Sequence, residues 1–157
     1  MTTKIEKLSK ILNESKNIVF FGGAGMSTES GIPDFRSSDG LFNEKLNITL
    51  TPEQLVSHTY FSRYPEQFFN FYKAKLIYPN AKPNTGHLAL AKLEEAGKLK
   101  AIITQNIDGL HQIAGSKNVF ELHGSVHRNY CTNCNSFYDA EFVITAPGIP
   151  LCTKCGE

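Results

Sequence analysis

Apolar positions recur at helical spacing through residues 4–16. Ile5, Leu8, Ile11 and Leu12 share one side, and Thr2 or Thr3 can cap, so an amphipathic helix is predicted there. Ile18, Val19, Phe20 and Phe21 follow without polar interruption, the pattern of a short strand buried on both faces. Gly22, Gly23, Ala24 and Gly25 break this run. Ser27–Ser30 can open a short helix that Gly31 and Pro33 stop. Further helices are predicted from Thr51, with Pro52 in the first turn and Gln54 at the capping-box position, and from Pro65 through Leu76. Another follows Pro83 and Asn84, with Leu88, Leu90, Ala91 and Leu93 inward and Gly97 as terminator. Lys100–Thr104 and Val119–Leu122 read as short strands, and Asp108–Ala114 as a helix ended by Gly115. Strands separated by helices imply βαβ units and a mostly parallel sheet.

Composition narrows the class. The 157 residues are 41% hydrophobic and 20% charged, which suits one globular domain with a modest core. A net charge of +1 argues against a global electrostatic grip on nucleic acid or an anionic membrane. No apolar run approaches the roughly 18 residues of a membrane span, and the N-terminal residues mix charge with apolar side chains throughout, unlike a secretory signal. A soluble, cytoplasmic protein is expected.

The four cysteines form two C-x-x-C pairs, Cys131 with Cys134 and Cys152 with Cys155, separated by seventeen residues. Two such knuckles match a tetrahedral thiolate site for zinc, the competing reading being two disulfides. Four thiolates leave no open position for water or substrate, so the ion is expected to be structural. A zinc ribbon gripping nucleic acid is disfavoured by charge. Within 131–157 Lys154 stands alone against Asp139, Glu141 and Glu157.

A glycine-rich turn directly after a buried strand lets a phosphate approach backbone amides. Gly23-Ala24-Gly25 begins like a dinucleotide fingerprint, but Thr28 occupies the third glycine position, and the glycines alone are equally consistent with a tight strand-to-helix turn. The stiff run Gly31–Arg36 then brings a carboxylate, an aromatic ring and a guanidinium close to this turn, Arg36 being suited to oxyanions. Thr104–Gly109 follows the second strand, and His123-Gly124 the third. In parallel sheets ligands gather beyond the carboxyl ends of the strands, where all three polar clusters fall.

GGAGMSTESGIPDFR (22–36), TQNIDGLH (104–111), ELHG (121–124) and the two C-x-x-C pairs, in this order, resemble the sirtuins, NAD-dependent protein-lysine deacylases, and most closely their bacterial-type members. The resemblance implies an α/β fold, a Rossmann-like parallel sheet carrying a small inserted zinc-binding domain. It divides the chain into residues 1–125, the N-terminal part of the NAD-binding domain, and 126–157, the zinc module. Ala24, Thr28, Phe35 and Arg36 would contact NAD; Gln105, Asn106, Ile107 and Asp108 would line the nicotinamide and ribose pocket. His123 would be the catalytic base and also touch the cofactor, and Cys131, Cys134, Cys152 and Cys155 would ligate one structural zinc. The implied partner is an acetyl-lysine protein or peptide, with no role for nucleic acid or membrane, and the implied products are nicotinamide, free lysine and O-acetyl-ADP-ribose.

Members that prefer acidic acyl groups carry Tyr-x-x-Arg where this chain has Tyr72 and Lys75. Lysine lacks the bidentate fork for a carboxylate, so deacetylation is favoured here. The sequence stops two residues past Cys155, and only half of a doubly wound sheet is visible. A truncated form with weak or no activity, serving as a zinc-containing scaffold, is therefore one alternative. Protein ADP-ribosyl transfer is another.

Overall fold

The computed structural model describes residues 3–34 and 50–157. Helix α1 (Lys4–Glu14) begins in a capping box, in which the Thr3 hydroxyl accepts from the Glu6 amide and the Glu6 carboxylate accepts from the Thr3 amide. Strand β1 (Ile18–Gly22) follows, then two 3₁₀ turns at Ala24–Met26 and Thr28–Ser30 where one short helix was expected. Gly31 ends them in a left-handed conformation (φ +82°), which glycine adopts without steric cost. The helices α2 (Pro52–Leu55), α3 (His58–Arg63), α4 (Pro65–Lys75) and α5 (Thr85–Glu95) lead to strand β2 (Leu99–Thr104). A short α6 (Leu110–Ile113) then connects to β3 (Val119–Glu121). The chain ends in a hairpin of β4 (Asn129–Tyr130) and β5 (Phe137–Tyr138) followed by α7 (Ala140–Thr145) and the second cysteine pair.

The three main strands pair in parallel in the order β1-β2-β3. Register sets Phe20, Ile102 and Val119 in one row and Phe21, Ile103 and Phe120 in the adjacent row, and rows alternate between faces. The face with Ile102 and Thr104 is buried, α5 lying against β2 and the His111 ring of α6 tilted against Phe20. The opposite face is open. Val19, Phe21 and Phe120 are each more than half exposed, so β1 is covered on one side and not on both as its apolar run suggested. A continuous apolar run marks a strand with two apolar faces, but only tertiary packing decides whether both are covered.

Two further positions correct the sequence pattern. Leu88 on α5 is 45% exposed and does not point into the core. Ile5, Leu8 and Ile11 form the apolar stripe of α1, yet α1 buries no residue. That helix is held at its end by Lys98, whose ammonium donates to the Leu12 and Asn13 carbonyls at 3.0 and 2.9 Å.

A second core forms around Ile77, Val126, Ala140 and Val143, with Phe69, Tyr72, Ile107 and Phe142 packed on it. It joins the aromatic face of α4 to the hairpin and α7. Lys73 reinforces the junction by donating to the Ala146 and Gly148 carbonyls at the end of α7, and burial pulls its ammonium below the usual lysine range. Among the described residues no helix is long and apolar enough to cross a membrane.

Candidate active site and metal centre

The carboxyl ends of β1, β2 and β3 open into one cleft of about 1050 Å³. The glycine turn forms one wall and the loop after β2 another; His123 and Tyr72 close the rim. Asn84, the cap of α5, fixes the turn from behind: its amide donates to the Met26 carbonyl at 2.8 Å and to the Ser30 hydroxyl at 3.1 Å. A Cβ at Gly86 would crowd this cap, standing 3.1 Å from Asn84 Oδ1 and 2.8 Å from the mobile end of Met26.

A polar network occupies the cleft floor. Ser27, 1% exposed, donates its hydroxyl to Asp108 Oδ2 at 2.6 Å and accepts from Asn106 Nδ2 at 3.0 Å. The other Asp108 oxygen accepts from the Leu110 amide at 2.9 Å, the first turn of α6. The carboxylate is thus oriented from two sides, and each oxygen keeps a lone pair for a ligand.

The β2 loop is also braced along its carbonyls. The Val126 amide donates to the Ile107 carbonyl at 2.9 Å, and His127 Nε2 meets the Asp108 carbonyl at 3.0 Å. Gly109 (φ +71°) suits this position, because a Cβ would lie 2.8 Å from the His127 ring and force it to move. His123 Nδ1 lies 3.0 Å from the Gln105 carbonyl. A carbonyl only accepts, so Nδ1 carries the proton, and a neutral ring then presents the Nε2 lone pair as a base.

The four cysteine sulfurs lie within 4.8 Å of one another, with Cys131 to Cys155 and Cys134 to Cys152 each at 3.5 Å. These separations exceed a disulfide bond of about 2.05 Å and all four thiols are free. A tetrahedral tetrathiolate ion with bonds of about 2.3 Å spaces its sulfurs by about 3.8 Å, so the group fits zinc. Hydroxyl donors favour the thiolate form at two of the four. Ser136 lowers the Cys134 thiol, and the Tyr138 hydroxyl leads the effects that bring Cys152 down to about 5.

Residues 23–157 match the family model described as Sir2 family. The chain belongs to the Sir2 family. An NAD-dependent protein deacetylase of Clostridium perfringens is 76% identical across 99% of this chain and 64% of its own length. The Clostridium acetobutylicum counterpart is 61% identical across 98% of this chain and 63% of its own. The chain thus spans a little under two thirds of the curated relatives it matches. Among solved structures, a Sir2 protein with a deacetylated p53 peptide and an acetyl ADP ribose superposes with a TM-score of 0.86 at 43% identity, covering 98% of this chain and 62% of that one. A Sir2 protein bound to a propionylated peptide gives 0.80 at the same identity, covering 98% and 60%.

In this Sir2 chain Ala24, Gln105, Asn106, Ile107, Asp108 and His123 all line the cleft, and the four cysteines converge. Thr28 is not in the wall; it is exposed and its hydroxyl donates to the Gly25 carbonyl at 3.0 Å. Phe35 and Arg36 lie outside the described residues. Sequence reasoning passed over Ser27, His127 and Tyr138. Ser27 sat in plain view inside the glycine motif, but its partner Asp108 is 81 positions away.

Behind the cleft floor two histidines are buried together. His87 and His111 are at most 1% exposed, with ring centroids 4.7 Å apart. The Asn84 backbone N–H donates to His87 Nδ1 at 3.3 Å, whereas His87 Nε2 and both His111 nitrogens have no partner among the described residues. Burial pushes both below the usual histidine value; mutual repulsion adds to this at His111, while Asp108, and at His111 also Glu121, pull the other way. The unfolded chain therefore takes up these protons first, near pH 6.5, so folding stability is fully present above that value and falls as pH drops through it. Chemical denaturation between pH 7.5 and 5.5 should show a loss of up to about 1.4 kcal/mol per pH unit for each ring. His111→Asn should flatten the slope; an unchanged slope would assign the acid sensitivity elsewhere.

Proposed function

We propose that this chain carries the nicotinamide-side and general-base part of an NAD-dependent protein-lysine deacetylase. The observation that supports this best is the convergence of the glycine turn, the Ser27–Asn106–Asp108 network and His123 at the ends of three parallel strands. The division at residue 125 fits the same reading, since β3 ends at Glu121 and the zinc hairpin starts at Asn129.

NAD, when bound, supplies the ribose carbon that receives the acyl oxygen as nicotinamide departs. The residues of this chain then have separable tasks. The turn at Ala24 and Gly25 lets phosphate oxygens approach the backbone. Asp108, held by Ser27 and the Leu110 amide, presents acceptors to the carboxamide N–H groups of nicotinamide, with Asn106 beside it. Ile107 is fixed by Val126 and shapes the apolar wall. His123 Nε2 takes a proton from a ribose hydroxyl, whose oxygen then bonds to the acyl carbon; the lysine nitrogen leaves as the free amine and one water is consumed, giving O-acetyl-ADP-ribose. Phe35 shields the reacting face from water, and Arg36 pairs with an oxyanion.

The four cysteines hold one structural zinc. The substrate is an acetylated protein or peptide, met in a cytoplasmic setting. Tyr72 and Lys75 both line the cleft, a position from which they can sense the acyl group. Lysine favours acetyl over a carboxylate-bearing acyl chain here because it has no planar fork.

The test is mass spectrometry of an acetyl-lysine peptide incubated with and without NAD. Residues 1–157 and a form extended to the length of the relatives are run side by side. NAD-dependent loss of acetyl is expected in the extended form and weakly, at most, in 1–157. His123→Ala should reduce the rate by about 10²–10⁴-fold. Turnover that ignores NAD or survives His123→Ala would overturn the reading.

A further inference from the structure

We infer that Tyr138 is the positioning residue of the metal centre, strapping the second cysteine knuckle to the first and donating a hydrogen bond to the Cys152 sulfur. The inference rests on the reading of the four cysteines as a metal site.

Tyr138 closes β5, the strand that follows the first knuckle, yet its hydroxyl reaches the second knuckle 14 residues on. Three groups surround this oxygen: Cys152 Sγ at 3.1 Å, Thr153 Oγ1 at 3.0 Å and the Thr153 amide at 2.9 Å. Counting protons fixes the directions. The Thr153 N–H can only donate, and a metal-bound thiolate can only accept. The single Tyr138 proton therefore goes to sulfur, and the Thr153 hydroxyl donates to the Tyr138 oxygen. The Lys154 amide adds a longer contact to the same sulfur at 3.4 Å. By contrast Ser136, which meets Cys134 Sγ at 3.1 Å, lies two residues from its cysteine and braces only its own knuckle.

The ring of Tyr138 gives the strap a fixed base. It stacks on Phe142 with centroids 4.1 Å apart at 25°, and Phe142 packs on the core of Ile77, Val126, Ala140 and Val143. The backbone is tied as well, since Asn129 donates to both the Tyr138 and Val126 carbonyls. One aromatic side chain thus links the second pair of ligands to the core that also seats Ile107. Groups that orient metal ligands in this way typically change affinity by about 10–100-fold when removed.

The test loads the whole chain with Co²⁺ as a spectroscopic probe and then competes it with Zn²⁺ and a chelator. Tyr138→Phe removes the hydroxyl and keeps the stacked ring. A drop of about 10–100-fold in metal affinity is expected, together with a shift of the sulfur-to-cobalt charge-transfer band to longer wavelength, because an unbonded sulfur is the better electron donor. Phe142→Leu keeps the hydroxyl and loosens the stack; it should lower the melting temperature and leave the band in place. Unchanged affinity and spectrum in Tyr138→Phe would overturn the inference. Weaker binding with an unmoved band would reduce Tyr138 to packing and overturn it equally. A native chain that takes up no Co²⁺ would remove the metal reading itself, and the strap with it.

Discussion

Stripping the metal from this chain should unfold residues 126–157 while the parallel sheet persists. The hairpin strands β4 and β5 have two residues each and α7 has six, all far below the length at which such elements hold in water alone. Their buried apolar contribution is small: Val126, Ala140 and Val143, shared with Ile77. Structural zinc in comparable small modules contributes about 10–16 kcal/mol of apparent binding free energy, which becomes folding free energy where no site exists without the ion. Removing it therefore exceeds anything the local packing can offset. Hydrogen exchange followed by mass spectrometry should show amides of the hairpin and α7 losing protection after chelation, while β2 keeps its own. Cys152→Ser should reproduce this without chelator. A chelated chain whose hairpin stays protected would show that packing, not metal, holds the module.

That expectation came from spacing that the sequence displays openly, as did the glycine turn after Ile18–Phe21 and the helix start after Pro83 and Asn84. Each depends on neighbours within a few residues. The elements that escaped notice depend on partners far along the chain. Strands of two residues carry no periodicity to read, so β4 and β5 were invisible until their pairing was known. Helix α3 is six residues long and opens at Ser57, too short to stand out between two stronger helix starts. The apolar run of β1 could not tell one covered face from two. Nothing near His87 or His111 in the sequence signals that the two rings meet across α5 and α6. For the cleft, motif order revealed which residues gather there. It did not reveal that Ser27 is the buried hinge between Asn106 and Asp108, or that Thr28 turns outward.

On the proposed function, Asp108→Asn should uncouple this floor and abolish NAD-dependent turnover of the extended form out of proportion to its effect on stability. The carboxylate accepts from Ser27 on one oxygen and from the Leu110 amide on the other. An amide can keep its carbonyl on the Leu110 N–H only by turning its NH₂ toward Ser27. That hydroxyl would then face two donors, counting Asn106, and its own proton would have no acceptor. Ser27 is 1% exposed, so water cannot take the place of the lost partner. An unsatisfied buried group costs about 1–3 kcal/mol, or about 2–4 °C per kcal/mol in melting temperature for a chain of this size. On the role proposed for Asp108, a nicotinamide carboxamide would lose more, because the acceptor offered to it has become a donor. Ser27→Ala should weaken the same function by releasing the carboxylate rather than replacing it. Because the two side chains act as one unit, the double variant should be far less damaging than the two effects added. Denaturant melts and NAD-dependent turnover in the extended form, measured on both single variants and the double, would check this. Additive losses would mean that Ser27 and Asp108 serve separate tasks, and the network would then be structural only.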